Sequence, residues 1–264
     1  MARPLKATLE YDGGRYRGWQ AQMNARTVQG TLLATLRTLA GEDVRIHGAG
    51  RTDAGVHALG QVASLYGRAL PSADLGSFRR RWNDLLPADI NILDLVPAAP
   101  KFHARHDASL RIYRYRISRR RTAFAKRYVW WVKEHLNEMA MARAAALLPG
   151  RHDFRSFCEN PAGHDSTLVE VAFADLEVPP EAPDLLLFRI AASHFLWKMV
   201  RRLAGTLVEV GAGRLSPEDV ADFLGRRSDR PASLTAPASG LFLEAVVYPG
   251  DVAPPSPDPF RPGF

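Results

Sequence analysis

The sequence is poor in the residues that most often announce a function. Among 264 residues there is a single cysteine, Cys158. No disulfide can form within the chain, and cysteine-based zinc or iron–sulfur sites are excluded. Eight histidines are present, but pairs such as His103/His106 and His152/His164 fit no H-E-x-x-H or comparable ligand spacing, so no metal is expected. Neither Gly-Lys-Ser nor Gly-Lys-Thr occurs, which removes the Walker phosphate loop, and no G-x-S-x-G elbow marks a serine hydrolase. No apolar run approaches the ~18 residues of a membrane span. The opening stretch MARPLKATLEYDGG lacks the apolar core of a signal peptide, and a cytoplasmic protein is expected.

What is present is an ordinary globular composition, 46% hydrophobic and 24% charged, sized for one large domain or two packed ones. Lys and Arg outnumber Asp and Glu by 35 to 28, and the excess is concentrated. Between Lys101 and Arg127, ten basic residues stand against the single Asp107, which leaves the rest of the chain at about −2. A basic patch on a near-neutral body is the footprint of a polyanion partner, nucleic acid foremost. A solvated basic face is the plainer alternative.

Alternation of Leu5, Ala7 and Leu9 with polar neighbours predicts a strand over Leu5–Tyr11. An arginine- and aromatic-rich loop follows (Arg15, Tyr16, Arg17, Trp19). Thr27 then caps a helix to Ala40 with Val28, Leu32, Leu36 and Leu39 as its buried stripe. Strands are expected at Val44–Gly48 and His57–Tyr66, a helix at Asp74–Leu85, and a strand at Ile90–Val96. This order is the split βαβ pattern of ferredoxin-like domains. The second half varies it: strand Ala108–Ser118, helix Leu136–Leu148, strands Leu168–Val178 and Leu185–Ala192, helices Leu196–Val210 and Ser216–Leu224, and a last strand Leu241–Tyr248. No sequence repeat relates the halves. The fold class expected is α+β, with an N-terminal half 1–105, a C-terminal half 106–248 and a proline-rich tail 249–264.

The densest cluster of candidate chemistry runs from His47 to His57, H-G-A-G-R-T-D-A-G-V-H. Its three glycines suit a sharp turn or a close approach. A dinucleotide fingerprint fails, because Asp53 holds the third glycine's place and the next segment alternates like a strand. Asp53 as a simple turn residue remains open, although Arg51-x-Asp53 in a tight loop of a basic protein favours chemistry. In Tyr113-Arg114-Tyr115-Arg116, a period of two puts the tyrosines on one face and the arginines on the other. Such aromatics can stack nucleobases or simply sit half-buried in a sheet. Phe195–Arg202 reads as an apolar helix start with core aromatics, in which a buried arginine would need an anionic partner.

These pieces together resemble the TruA family of tRNA pseudouridine synthases. Gly50-Arg51-Thr52-Asp53-Ala54-Gly55-Val56-His57 is similar to that family's active-site signature. Further blocks follow in the family's order: Glu10–Gly13, Gly18-Trp19-Gln20, Thr27-Val28-Gln29, Phe102–Arg105, Tyr113-Arg114-Tyr115, Asp153-Phe154, Ser156-Phe157, Phe195-Leu196, Met199-Val200-Arg201 and Gly240-Leu241. One departure is Lys198, where many bacterial relatives have histidine. The resemblance implies isomerisation of uridine to pseudouridine in the anticodon stem-loop of tRNA, at positions 38–40, without metal or organic cofactor. It implies two ferredoxin/RRM-like halves with antiparallel sheets around a central basic cleft, and a homodimer. It makes Asp53 the catalytic aspartate, Tyr113 the ring that packs on the target base, Arg201 the partner of the aspartate, and Arg51 part of the loop that displaces the target nucleotide. Arg105, Arg111, Arg114 and Arg116, from the basic run, are then expected to meet the RNA backbone.

Overall fold

The computed structural model describes residues 3–251. The chain divides into two compact units, residues 3–109 with 243–251 and residues 110–242. Most of the proline-rich tail, beyond residue 251, lies outside the described residues.

The first unit opens with β1, Leu5–Tyr11, whose buried residues alternate with half-exposed ones as in a strand with one covered face. A single 3-10 turn, Gly13–Arg15, follows. Helix α1 spans Val28–Ala40, and Thr27 Oγ1 accepts the Gly30 N–H at 3.2 Å as its cap. Its buried stripe is Val28, Leu32, Leu36 and Ala40. Leu39, expected in that stripe, is half-buried, because the covered face advances in steps of four and Ala40 takes the next place. Then come β2 (Arg45–Gly48), β3 (His57–Tyr66), α2 (Leu75–Leu85, capped by Asp74) and β4 (Ile90–Pro97). Strand β1 lies between β4 and β3, and β2 pairs with β3, all antiparallel. The order β4-β1-β3-β2 is the ferredoxin-like one expected from the element sequence. Phe78 and Trp82 of α2 are buried, and the Trp82 indole donates to Thr35 Oγ1 of α1 at 2.9 Å.

The second unit begins with β5, Leu110–Ser118, buried along nearly its whole length. It continues through β6 (Trp130–Trp131), α3 (Glu138–Ala145), β7 (Gly150–Asp153), β8 (Leu168–Glu177), β9 (Leu185–Ala192), α4 (Met199–Gly211), α5 (Pro217–Gly225) and the single turn α6 (Arg230–Ser233). The last strand, β10, is Leu241–Val247; from Leu243 onward it belongs to the first unit, where it lies next to β3. The order β5-β9-β8-β7 is antiparallel, with β6 parallel to β5. Strands β5, β9 and β8 thus repeat the arrangement of β1, β3 and β2. The fold is α+β with mostly antiparallel sheet.

Two expectations for this unit need correction. The helix expected from Leu196 starts at Met199, because Lys198 adopts a left-handed φ of 62° that no α-helix continues through. Phe195, Leu196 and Trp197 therefore lie on the loop before α4, and Trp197 is 50% exposed and not core. The expected helix Leu136–Leu148 is also shorter. Asn137 caps it by accepting the Ala140 N–H at 3.0 Å, and its C-terminal residues fall into turns. The short strands β6 and β7 carry too few residues for any periodicity to reveal them.

Candidate active site

The loop between β2 and β3 carries Arg51 and Asp53, and the first unit holds it from below. Gly48 has Trp19 against it: a Cβ there would come within 2.5 Å of the indole ring. Trp19 is buried, and its backbone N–H donates to the Thr52 carbonyl at 3.0 Å. Gly18, at φ 94°, approaches that carbonyl so closely that a Cβ would stand 2.6 Å from its oxygen. The Gly18 and Trp19 carbonyls in turn accept the N–H groups of Val28 and Gln29, which ties this support to the start of α1.

Side chains complete the support. Tyr11, buried at the end of β1, hydrogen-bonds Thr52 Oγ1 through its hydroxyl at 2.8 Å. Burial pushes its phenol up to about 12, against the opposing hydrogen bonds to Thr52 and Gln61, so it stays protonated. Gln61 donates to the Gly50 carbonyl at 3.0 Å. On the far side, His57 Nδ1 accepts the Gly13 N–H at 3.1 Å and lies 3.0 Å from Asp12 Oδ1. A turn closed by the Val56 N–H on the Asp53 carbonyl, with Gly55 at φ 80°, sets the Asp53 backbone between the buried Thr52 and Val56. Asp53 is half-buried and Arg51 exposed. A carboxylate on such a fixed, partly sheltered turn can serve as nucleophile or base.

In the second unit Tyr113 lies on β5, buried, with its ring edge-on to Phe195 at 4.9 Å between centroids. Two residues along, Tyr115 donates its hydroxyl to the Pro237 carbonyl at 2.7 Å. Burial raises its phenol, opposed by the charge of Arg201. Arg201, half-buried on the first turn of α4, donates Nε–H to the Ala236 carbonyl at 2.8 Å and accepts the Ala236 N–H on its own carbonyl. Its neighbour Arg202 is fully buried. As the cost of a lone buried charge requires, it has an anion: Glu159, with the Cys158 carbonyl at 2.6 Å besides. The Tyr113–Tyr115 face and the start of α4 are thus fastened through residues 236 and 237.

The basic run is open to solvent only in part. Arg105 is exposed, but Arg111, Arg114 and Arg116 retain only 8%, 1% and 7% of their surface. Arg111 donates to the Ser193 carbonyl at 2.7 Å, and the Arg116 guanidinium stands 5.6 Å from the Phe242 ring. Burial, then the charge of Arg114, brings Arg116 down to about 10. These three positions, expected from the sequence to meet RNA, are buried side chains of β5. Farther along, Arg119 pairs with Glu138 and Arg120 with Asp184. The sequence also gave no role to Tyr11, Trp19 and Gln61, which hold the Asp53 loop. Tyr11 and Trp19 lie in blocks quoted for the resemblance, but only contacts across the fold reveal what they do. Among the described residues no helix is long and apolar enough to cross a membrane.

Comparison with known proteins decides the family. The model of the tRNA pseudouridine synthase family matches residues 7–107 and 144–249. The chain belongs to the tRNA pseudouridine synthase family. It is 46% identical over 254 residues to tRNA pseudouridine synthase A of Moorella thermoacetica, covering 92% of this chain and 99% of that protein. It is 42% identical over 249 residues to the enzyme of the same name from Pelobacter propionicus, covering 93% and 100%. The Myxococcus xanthus protein of that name is 42% identical over 247 residues, covering 92% and 91%. The two segments matched to the family contain Arg51, Asp53, Arg105 and Arg201, while Tyr113 and its arginine neighbours fall in the stretch between them.

Proposed function

We propose that this member of the family isomerises uridine to pseudouridine in the anticodon stem-loop of tRNA, at positions 38–40, with Asp53 as its catalytic group. The observation that carries the reading is the Asp53 turn itself. Its carboxylate sits at the edge of a loop that Thr52, Trp19, Tyr11, Gln61 and His57 hold from the inside. A loop built only to connect two strands would not need that many buried partners.

The chemistry asks little beyond a placed carboxylate. The C1′–N1 bond breaks and a C1′–C5 bond forms; the C5 proton leaves to solvent and N1 regains one. The product is an isomer of the substrate, with no change of oxidation state and no phosphate energy, and neither metal nor organic cofactor is invoked. Asp53 activates the sugar or the base as nucleophile, or removes the 2′ proton as base; both routes give the same balance. Arg201 pairs with the Asp53 carboxylate, for which a guanidinium fork is suited. Tyr113 packs on the detached uracil and keeps it from escaping while it turns. The target uridine must leave its stack, at a cost of a few kcal/mol, and Arg51 helps displace it.

In this reading residues 1–105 supply the aspartate loop and 106–248 the tyrosine and arginine. The enzyme works in the cytoplasm as a homodimer on tRNA. Arg105, the exposed member of the four arginines, meets the RNA backbone. The test is tritium release from tRNA labelled at uridine C5, comparing the native chain with Asp53→Asn. Release by the native chain alone supports the proposal. Equal tRNA binding by both proteins, with release by neither, overturns it in favour of an RNA-binding module.

A further inference from the structure

We infer that a basic groove beside the Asp53 loop, walled by Arg15, Arg17 and Arg26, binds the phosphodiester backbone of the RNA strand carrying the target uridine. The inference takes its RNA substrate from the proposed function. The groove, of about 450 Å³, lies wholly in the first unit and is lined by residues 14–17 and 24–26 together with Ala54 and Gly55. Ala54 and Gly55 directly follow Asp53, so a chain seated here lies against the turn that carries the carboxylate. The lining contains no Asp or Glu.

The three arginines are not in the same condition. Arg26 is committed: its guanidinium lies 4.6 Å from the Tyr16 ring, donates to the Tyr16 hydroxyl at 2.9 Å, and reaches Asp89 at 3.5 Å. Tyr16 in turn donates to Asp89 at 2.5 Å. Arg26 is thereby a fixed wall. Arg15 and Arg17 are exposed, and among the described residues neither side chain has an ion pair. A second groove, of about 420 Å³ in the other unit, is lined by Arg155 and Arg227. There the charge is already met within the chain, since Arg155 pairs with Asp153 and Arg227 lies 3.7 Å from Asp229. In the groove beside Asp53, Arg26 is met by Asp89, whereas Arg15 and Arg17 await an anion.

Its shape is also prepared in advance. The Arg17 N–H donates to the Arg26 carbonyl at 2.9 Å, and Gln22 bridges Ala25, so the two walls form one hairpin. Gln29 anchors the hairpin by accepting from Ala21 N–H at 2.9 Å and Gln20 Nε2 at 2.7 Å, while donating to the Ile46 carbonyl on β2. A preformed wall loses little ordering entropy on binding. Guanidinium forks beside exposed backbone suit phosphate oxygens better than they suit bases. The groove would then hold the strand at the phosphates flanking the displaced nucleotide and fix its register against Asp53.

The experiment is salt-dependent tRNA binding and steady-state isomerisation by the full chain carrying Arg15→Gln and Arg17→Gln together. A charge-matched control carries Arg214→Gln and Arg226→Gln, whose side chains pair with Glu209 and Asp222. Loss of two phosphate contacts lowers the slope of log K against log salt by about 1.5. It raises KM about tenfold and leaves kcat within about twofold. The control should match the native chain, and Arg15→Lys with Arg17→Lys should recover most of the slope. Thermal unfolding confirms that each variant is folded. A native slope in the Gln variant overturns the inference, as does a fall in kcat at unchanged KM, which would place the arginines in support of the loop. If the native chain binds tRNA but releases no tritium, the proposed function fails while the slopes still judge the groove.

Discussion

Gly18 offers the sharpest test of how the Asp53 loop is held. Replacing it by alanine acts in two ways. At φ 94° a side chain is strained, costing about 1–2 kcal/mol. The new Cβ would also stand 2.6 Å from the Thr52 carbonyl oxygen and 3.2 Å from the Asp53 carbonyl carbon. Comfortable contact needs ~3.5 Å, so the Thr52–Asp53 peptide must retreat by close to 1 Å. A displacement of that size at the proposed catalytic group would cost about a hundredfold in rate. Gly41 provides the comparison, because it too has positive φ, 79° at the end of α1, but a Cβ there meets nothing within 4 Å. Gly41→Ala should show the strain alone, a loss of about 2–4 °C in Tm per kcal/mol with native kcat. Gly18→Ala should add a drop of about a hundredfold in single-turnover isomerisation at saturating tRNA. A Gly18→Ala enzyme whose rate stays within about twofold of Gly41→Ala would refute the claim that this backbone contact positions Asp53.

Three further outcomes follow from packing and protonation. Tyr11 is raised by burial from 10.0 to about 12, so above pH ~10 the unfolded chain loses a proton that the folded one keeps, and stability falls as pH rises from 10 toward 12. Tyr11→Phe should flatten that decline in urea titrations at pH 9 to 11; an unchanged slope would mean that Tyr11 is not the buried acid it looks to be. Glu159→Gln leaves the Arg202 charge buried with carbonyl partners only and should cost about 2–3 kcal/mol. Adding Arg202→Met should recover part of that loss, and strict additivity in the double-mutant cycle would argue against a coupled pair. Gly205 of α4 lies so close to the Leu234 carbonyl that a Cβ would overlap it. Gly205→Ala should destabilise by about 2 kcal/mol or more; a native urea midpoint would show that the segment around Leu234 yields freely.

The elements of the first unit were legible because local signals agreed with tertiary demands. Thr27 is both a good cap by chemistry and the residue whose oxygen meets the Gly30 N–H. The alternation in Leu5–Tyr11 is the alternation of its burial. The exceptions are places where one backbone angle overrode pattern. Lys198 in the left-handed region delays α4 to Met199 and leaves Trp197 at the surface, although the stretch from Phe195 reads as helix throughout. Residue type alone gives no warning, because lysine ordinarily favours helix.

The candidate site was legible to a different depth. Asp53, Arg51, Tyr113 and Arg201 stand out by motif, whereas the residues that fix them stand out only through contacts separated by tens of residues, such as Tyr11 to Thr52 or Tyr115 to Pro237. The basic run shows why charge counted along a chain misleads. A period of two assigns each side chain of β5 to a face, but whether a face is wet depends on what the rest of the fold lays over it. Here Arg111, Arg114 and Arg116 are buried despite sitting in the most basic segment of the sequence. Exposed charge beside Asp53 comes also from Arg15 and Arg17, in the short loop whose arginines and aromatics the sequence already shows. If RNA affinity follows accessible charge and not sequence density, neutralising those two arginines will weaken binding more than neutralising any two of the three buried ones that leave the fold intact.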